Sequence, residues 1–172
     1  MRQQQGFSLI ELLIVVAIIL IIAAISVPNL LRARMAANEA SAASGIRTIT
    51  TAQITYKSSF QLGYANTIGK LGPPAAGCSG GAGTPAASCL IDWVVANSST
   101  VPKSGYIFQV GLGASGDSES YVASTFASGW NRTGIRSFCA VEDHEIRVKF
   151  PSAQDAAADA ATCTSAFVVL NN

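Results

Sequence analysis

The sequence predicts an α+β protein in which a long, kinked N-terminal helix, from about residue 7 to about residue 58, packs by its C-terminal half on an antiparallel β-sheet head. Three observations support this prediction. An apolar run opens the chain, residues at helical spacing continue it, and short alternating segments separated by turn-forming residues follow. The 172 residues are within the size of one domain.

The apolar run extends from Phe7 to Val27 and contains one charged residue, Glu11, but neither glycine nor proline. Its 21 residues are enough to cross a bilayer core of ~30 Å as a helix that rises ~1.5 Å per residue. Fifteen of them are Leu, Ile, Val or Phe; these contribute about −7 kcal/mol to insertion, whereas Glu11 near one end costs at most ~3 kcal/mol. The segment 7–27 is therefore predicted to enter a membrane.

The helix is expected to continue beyond the apolar run as an amphipathic half, over residues 28–58. Pro28 lacks an amide N–H and predicts a kink, the alternative being that the helix ends near Val27. Residues 29–56 favour continuation, since they contain no proline and a single glycine, Gly45. One face of this half carries residues three or four positions apart: Ile46, Ile49, Gln53, Tyr56 and Phe60.

Charge is nearly balanced along the chain, with 11 Lys and Arg against 10 Asp and Glu. This balance gives no electrostatic reason to propose a nucleic acid as the main partner. Three charged residues of the second helix half, Arg32, Arg34 and Glu39, are expected on a solvated helix face or against lipid headgroups.

The residues before the apolar run differ from an ordinary secretory signal, in which the cleavage site follows the apolar core. Here a short polar segment ends at Gly6, and Phe7-Ser8-Leu9-Ile10-Glu11-Leu12 follows. This sequence resembles the class III signal of type IV pilins and of the type II secretion pseudopilins. Leu13 to Ile19 and Val27-Pro28-Asn29-Leu30 also resemble that family. The resemblance covers about the first 55 residues and is only architectural beyond them.

The resemblance implies that a prepilin peptidase removes the leader 1–6 by cutting between Gly6 and Phe7, and then N-methylates Phe7. The apolar segment 7–27 would be retained as a transmembrane and filament-core helix. Glu11 would meet the amine of Phe7 in a neighbouring subunit and set the axial register, since an unpaired buried charge costs several kcal/mol. The alternative is that Glu11 reaches the membrane interface in a lone anchor.

Residues 59–172 are predicted to form a globular β head that contains a Gly- and Pro-rich loop over 72–88. Its expected strands form an antiparallel meander on the outer helix half, as in pilin heads. They comprise the alternating Tyr106, Phe108 and Val110; Ser120 to Phe126; a strand with Ile135, Cys139 and Val141 on one side; and Ile146, Val148 and Phe150 alternating with Arg147 and Lys149. Glu142 to Glu145 is the expected turn between the last two. Ala166 to Leu170 is expected as an edge strand or a core plug, and Ala153 to Ala161 as a short helix or a loop.

All four cysteines lie after the apolar run, which fits a head outside the cytoplasm where disulfides persist. We expect Cys78 to pair with Cys89 and Cys139 with Cys163, although sequence does not choose among three connectivities. A zinc site is the rival hypothesis; the chain has no C-x-x-C motif, and His144 is its single histidine.

Three further patterns, a glycine motif, a set of acidic residues and a histidine, are each only a weak sign of binding or catalysis. A G-x-G-x-x-G pattern is formed by Gly111, Gly113 and Gly116. It lacks the following helix of a dinucleotide site and is expected in a hairpin loop. A calcium site is conceivable but lacks EF-hand spacing, so solvated turns are expected for Asp117, Glu119, Glu142, Asp143 and Glu145. Nothing near His144 resembles a nucleophile elbow. No enzyme activity, metal or cofactor is predicted.

The resemblance implies that the chain is a structural type IV pilus subunit that forms a homo-oligomeric filament. It also implies a prepilin peptidase, an inner-membrane assembly platform and, before assembly, membrane lipid as partners. Its expected location is the inner membrane, with the head outside the cytoplasm, and then an extracellular pilus. The alternatives are a type II secretion pseudopilin and a membrane-anchored extracytoplasmic binding domain.

Overall fold

The computed structural model describes residues 8–75, 77–78, 83–113, 118–150 and 159–170. The chain divides into two compact units, Met1–Arg34 and Met35–Asn172. Helix α1 comprises Leu9–Phe60, so the predicted long helix is confirmed and ends at Phe60 rather than Ser58. Pro28 lies inside α1, and the alternative that the helix stops near Val27 is therefore wrong. The kink expected at Pro28 stays a prediction.

The second half of α1 buries the face that its spacing predicts. Ile46, Ile49 and Gln53 are fully buried, Tyr56 is nearly so, and Phe60 is half-buried. Gly45 lies on the same side, where the ring of Phe108 occupies the space that a Cβ would need, 2.6 Å from the nearest ring carbon. The single glycine of this half therefore permits the sheet to approach the helix closely.

The head contains a five-stranded sheet in the order β1-β2-β3-β4-β5, each strand antiparallel to the next. This confirms the predicted meander. The strands are β1 Tyr106–Leu112, β2 Tyr121–Ala127, β3 Ser137–Ala140, β4 Arg147–Lys149 and β5 Val168–Val169. One face of the sheet forms the main core with α1, to which Tyr106, Phe108 and Tyr121 contribute large buried side chains.

The other face of the sheet is covered by helix α4, Ala160–Ala166, and by Phe167. A second buried cluster there contains Val122, Cys139, Val141, Cys163 and Phe167. The segment Ala166 to Leu170 meets both expectations, because Phe167 is buried and Val168–Val169 forms the edge strand β5. Residues 151–158 of the ambiguous Ala153 to Ala161 segment lie outside the described residues, and α4 begins at Ala160.

Two strand predictions are wrong in their side-chain placement. Ile135 precedes β3 and is 38% exposed, so it does not share the buried side of Cys139 and Val141. Phe150 lies beyond β4 and is 66% exposed, whereas Arg147 is only 8% exposed. Period-two alternation assigns the second face to solvent, but here α4 covers part of that face, and Asp143 and Glu145 contact Arg147.

Two short helices were not predicted, α2 Ile68–Leu71 and α3 Trp93–Ala96. Each has four residues, too few for helical periodicity to appear in the sequence. The Asp92 carboxylate caps α3 by accepting from the Val95 N–H at 2.9 Å.

Each disulfide joins two cysteines that follow one another in the order of cysteines along the chain. Cys78 is bonded to Cys89, 11 residues apart, and Cys139 to Cys163, 24 residues apart. A sulfur in a disulfide does not offer the thiolate that zinc requires. The second bridge attaches α4 to β3 inside the second buried cluster.

Candidate functional site

The first half of α1 presents an apolar surface on every side. The consecutive residues 12–16 and 18–22 turn by about 100° each and so surround the helix axis. Large apolar side chains from Leu9 to Leu31 are between 45% and 81% exposed. The helix is long and apolar enough to cross a membrane, with a mean hydropathy of 3.1 over its best 18 residues. A helix that is apolar all round requires lipid or other helices around it.

Glu11 is the single charge of this apolar surface and has a partner in its own first turn. The Ser8 backbone N–H donates to Oε2 of Glu11 at 3.0 Å. Ser8 directly precedes Leu9, the first helical residue, so Ser8-x-x-Glu11 provides the glutamate half of a capping box. The carboxylate also lies at the positive end of the helix dipole. Sequence analysis missed this contact, although the S-x-x-E spacing signals it.

The capping contact leaves acceptor capacity on the Glu11 carboxylate. An ionised carboxylate offers about four acceptor positions on its two oxygens, and the Ser8 N–H uses one of them. A cation can therefore approach Glu11 while the cap stays intact. Gly6 and Phe7, the predicted processing residues, lie outside the described residues. Pro28 is an exposed residue of the same helix.

Glu39 contradicts its sequence prediction, because it is 6% exposed and not on a solvated face. Its Oε1 accepts from the backbone N–H groups of Ile135 and Arg136 at 2.9 and 3.2 Å. Its Oε2 lies 3.1 Å from Nε of Arg136. The physical reason is that the connection before β3 folds back on α1 and supplies two backbone N–H donors and one guanidinium charge to a carboxylate that would otherwise face water. Arg32 and Arg34 are exposed.

Gln53, the polar residue on the buried face of α1, forms two hydrogen bonds with the backbone. Its side-chain Nε2 donates to the Ala65 carbonyl at 2.9 Å, and its Oε1 accepts from the Ala65 N–H at 2.8 Å. Tyr56, one turn further on, donates its hydroxyl to the Pro85 carbonyl at 2.8 Å. Both side chains attach non-helical segments of the head to α1, and their amide and hydroxyl groups are thereby satisfied despite burial.

The acidic turn between β3 and β4 is organised by a cation. The Arg147 guanidinium donates to both carboxylate oxygens of Asp143, at 2.6 and 3.0 Å, and to Glu145 at 3.1 Å. The hydrogen bond from Arg147 holds the pKa of the Asp143 carboxyl below its usual value. Two of the acids considered for calcium are therefore engaged by a guanidinium. Among the described residues, no group of three or more His, Cys, Asp or Glu side chains is placed to hold a metal ion.

The glycine pattern lies at a hairpin, as expected. Gly111 is in β1, Gly113 directly follows β1, and β2 then returns antiparallel. A dinucleotide site requires a parallel strand and a crossover helix at this point. Gly116 lies outside the described residues.

Comparison with known proteins finds one family profile and one similar protein. Residues 1–27 match the family profile described as the prokaryotic N-terminal methylation motif. The chain carries this methylation motif. The type IV wide pilus major component PilA4 of Thermus thermophilus is 48% identical over 64 residues, which are 37% of this chain and 43% of that protein. The matched segment thus spans less than half of the length of either protein. No solved structure matches the chain. The predicted resemblance to type IV pilins is confirmed by the motif and the relative together.

Proposed function

We propose that this chain is a structural subunit of a type IV pilus and polymerises through the packing of its N-terminal helices. The observation that carries the proposal is the first half of α1, apolar on every side and exposed, most of which belongs to the methylation motif. Lipid covers this surface before assembly, and the same surface of other copies covers it afterwards. The similarity to a pilus component supports a pilus as the assembled form.

Processing precedes polymerisation in this proposal. A prepilin peptidase cuts between Gly6 and Phe7 and methylates the new amine, and an inner-membrane platform adds the subunit to the filament. The head lies outside the cytoplasm, where its two disulfides persist. After assembly the subunit belongs to an extracellular pilus.

Glu11 sets the axial register by pairing with the Phe7 amine of a neighbouring copy. The contact with the Ser8 N–H holds the carboxylate at the helix start and leaves acceptor positions for that amine. Inside a bundle of apolar helices, a shift of register would leave both charges buried without a partner. Such a state costs several kcal/mol, and the paired register is therefore selected.

The test separates the capping role of Glu11 from its charge. Glu11→Gln keeps an oxygen that accepts from the Ser8 N–H but removes the negative charge, and Glu11→Ala removes both. We expect both variants to be inserted and processed normally, by mass spectrometry of the N-terminal peptide, and to give at least about tenfold fewer filaments in the sheared surface fraction. Leu13→Ala, an apolar control in the same turn, is expected to assemble. Wild-type filament yield from Glu11→Gln would contradict the register proposal.

Two other assignments predict different observations. A type II secretion pseudopilin, which shares the N-terminal signal, would form short periplasmic assemblies, and its loss would impair secretion. A singly anchored binding domain would keep its leader and remain monomeric. Imaging of the sheared surface fraction together with the mature N-terminal mass distinguishes all three.

A further inference from the structure

The meander places the connections of the sheet at two opposite ends of the head. The register pairs Tyr106 with Ala127 and Ser137 with Lys149, so the starts of β1 and β3 and the ends of β2 and β4 share one end. The turn from β3 to β4 lies at the other end. The first end is next to α1, where the Asn38 side chain donates to the Thr133 carbonyl at 2.9 Å.

The first end, which we term the basic end, consists of residues 101–105, 128–136 and Phe150. Its parts are in contact, since the Ser128 N–H donates to the Gly105 carbonyl at 2.9 Å and the Arg136 guanidinium lies 5.4 Å from the centre of the Phe150 ring. Phe150 and Ile135 are exposed apolar side chains of this end. The surface is therefore continuous and partly apolar.

The charges of the basic end are mainly positive. Its described residues include three cations, Lys103, Arg132 and Arg136, and the neighbouring carboxylate of Glu39 is engaged by Arg136. Arg132 is exposed, and Lys103 and Arg136 are partly so. Exposed cations beside exposed aromatic surface form a patch suited to a partner with carboxylates.

The opposite end of the head carries carboxylates. They lie on residues 141–146, which we term the acidic loop. Glu142, Asp143 and Glu145 are exposed there. Arg147 is the cation that contacts Asp143 and Glu145, and one guanidinium does not balance three carboxylates. The two ends of one head are thus complementary in charge.

We propose that the basic end of one copy docks on the acidic loop of the next copy in the filament. The two surfaces differ and lie at opposite ends of the same head, so the contact is heterologous and repeats without closing on itself. The cations and carboxylates would fix the orientation of the contact, and Phe150 and Ile135 would supply the apolar surface that becomes buried. This inference rests on the proposed function, since it assigns a second contact to the same filament.

Charge reversal tests the docking in the full-length chain. We expect Lys103→Glu with Arg132→Glu, and separately Glu142→Lys with Glu145→Lys, each to reduce the sheared filament yield about tenfold or more, because like charges then face each other. The chain that carries all four reversals has complementary ends again and is expected to recover most of the yield. Lys70→Glu reverses a cation outside both surfaces and is the matched control, with wild-type yield expected.

The outcomes separate this inference from the proposed function. If both reversals assemble at wild-type yield while Glu11→Gln does not, the docking is overturned and the pilus subunit stands. If the basic-end variant fails and the variant with all four reversals does not recover, the basic end serves another surface, such as anionic lipid, and the docking is also overturned. Thermal unfolding of each variant checks folding, and Arg132→Glu alone, at an exposed position, replaces the basic-end variant if that chain unfolds.

Discussion

Glu39 joins the connection before β3 to helix α1 with both of its carboxylate oxygens. Two backbone N–H groups and the Arg136 guanidinium depend on this one side chain. A buried donor that loses its acceptor forfeits more free energy than the intact hydrogen bond contributes, because its desolvation is no longer compensated. Glu39 is therefore a structural carboxylate of the head.

Replacement of Glu39 is expected to destabilise the head. Glu39→Ala should lower the free energy of unfolding by about 1–3 kcal/mol, because it leaves two part-buried N–H groups without an acceptor. The measurement is denaturant unfolding of the full chain in detergent, followed by near-UV circular dichroism. Glu119→Ala is the control, because Glu119 pairs with Lys57 while 74% exposed, and it should cost less than about 1 kcal/mol. Equal losses in the two variants would contradict the structural role of Glu39.

Gly45 permits the close approach of Phe108 to α1. Gly45→Ala gains up to about 1 kcal/mol in helix propensity but places a Cβ 2.6 Å from the Phe108 ring, and overpacking costs about 1–3 kcal/mol. We expect a net loss of about 1 kcal/mol, measured by the same unfolding. Gly69→Ala, in α2, meets nothing within 4 Å and should be neutral or stabilising. A stabilised Gly45→Ala variant would show that Phe108 can move at no cost.

At the scale of elements, α4 covers the second face of the sheet through one covalent link and one buried cluster. The Cys139–Cys163 bridge is fully buried between β3 and α4. The Cys78–Cys89 bridge instead closes the Gly- and Pro-rich loop at the surface. The two disulfides therefore stabilise different parts of the head.

Removal of the two bridges should have unequal effects. In the chain-entropy account, the Cys139–Cys163 bridge, which closes 24 residues, stabilises the folded state by about 3.5 kcal/mol. The Cys78–Cys89 bridge, which closes 11 residues, stabilises it by about 3 kcal/mol. Cys139→Ser with Cys163→Ser also places two hydroxyls in the buried cluster, which adds a desolvation cost. We therefore expect a clearly lower Tm for this pair than for Cys78→Ser with Cys89→Ser, by calorimetry. A lower Tm for Cys78→Ser with Cys89→Ser would contradict this expectation and show that the bridge at the loop stabilises the head more.

At the scale of the whole molecule, the buried core belongs to the unit Met35–Asn172. The first buried apolar residue among the described residues is Ala42, and the large apolar side chains from Leu9 to Leu31 are exposed. Residues 8–34, the described part of the first unit, therefore contribute apolar surface but no buried core. In the proposed function, folding of the head and assembly of the filament depend on different residues.

A fragment that begins at Met35 is expected to fold without the first unit. Its core residues are all retained, so it should be monomeric in sedimentation without detergent and should unfold within a few degrees of the full chain. The full chain without detergent is the control and should self-associate, because its apolar helix is exposed to water. A fragment that lacked a cooperative transition would show that the head requires residues 1–34.

Particular residues show where prediction from the sequence succeeded. Ile46, Ile49 and Gln53 were placed on the buried face because helical spacing is a local property of the chain. Charge alone predicts solvent for Glu39 and Arg147, but both are buried. Arg136, which is distant in sequence, folds against Glu39, and the turn that carries Asp143 folds back on Arg147. Composition predicts that a charge prefers water, but it does not report that Arg136 or Asp143 will fold against it.

The sequence by itself determined the long apolar helix, its single carboxylate, the N-terminal methylation motif and the order of the strands, because each follows from residues near one another along the chain. Only the tertiary structure decided which side of Arg147 is covered, that Glu39 supports the connection before β3, and that the basic end and the acidic loop lie at opposite ends of one head. These features depend on contacts between residues far apart in sequence, which local patterns of polarity and spacing do not encode.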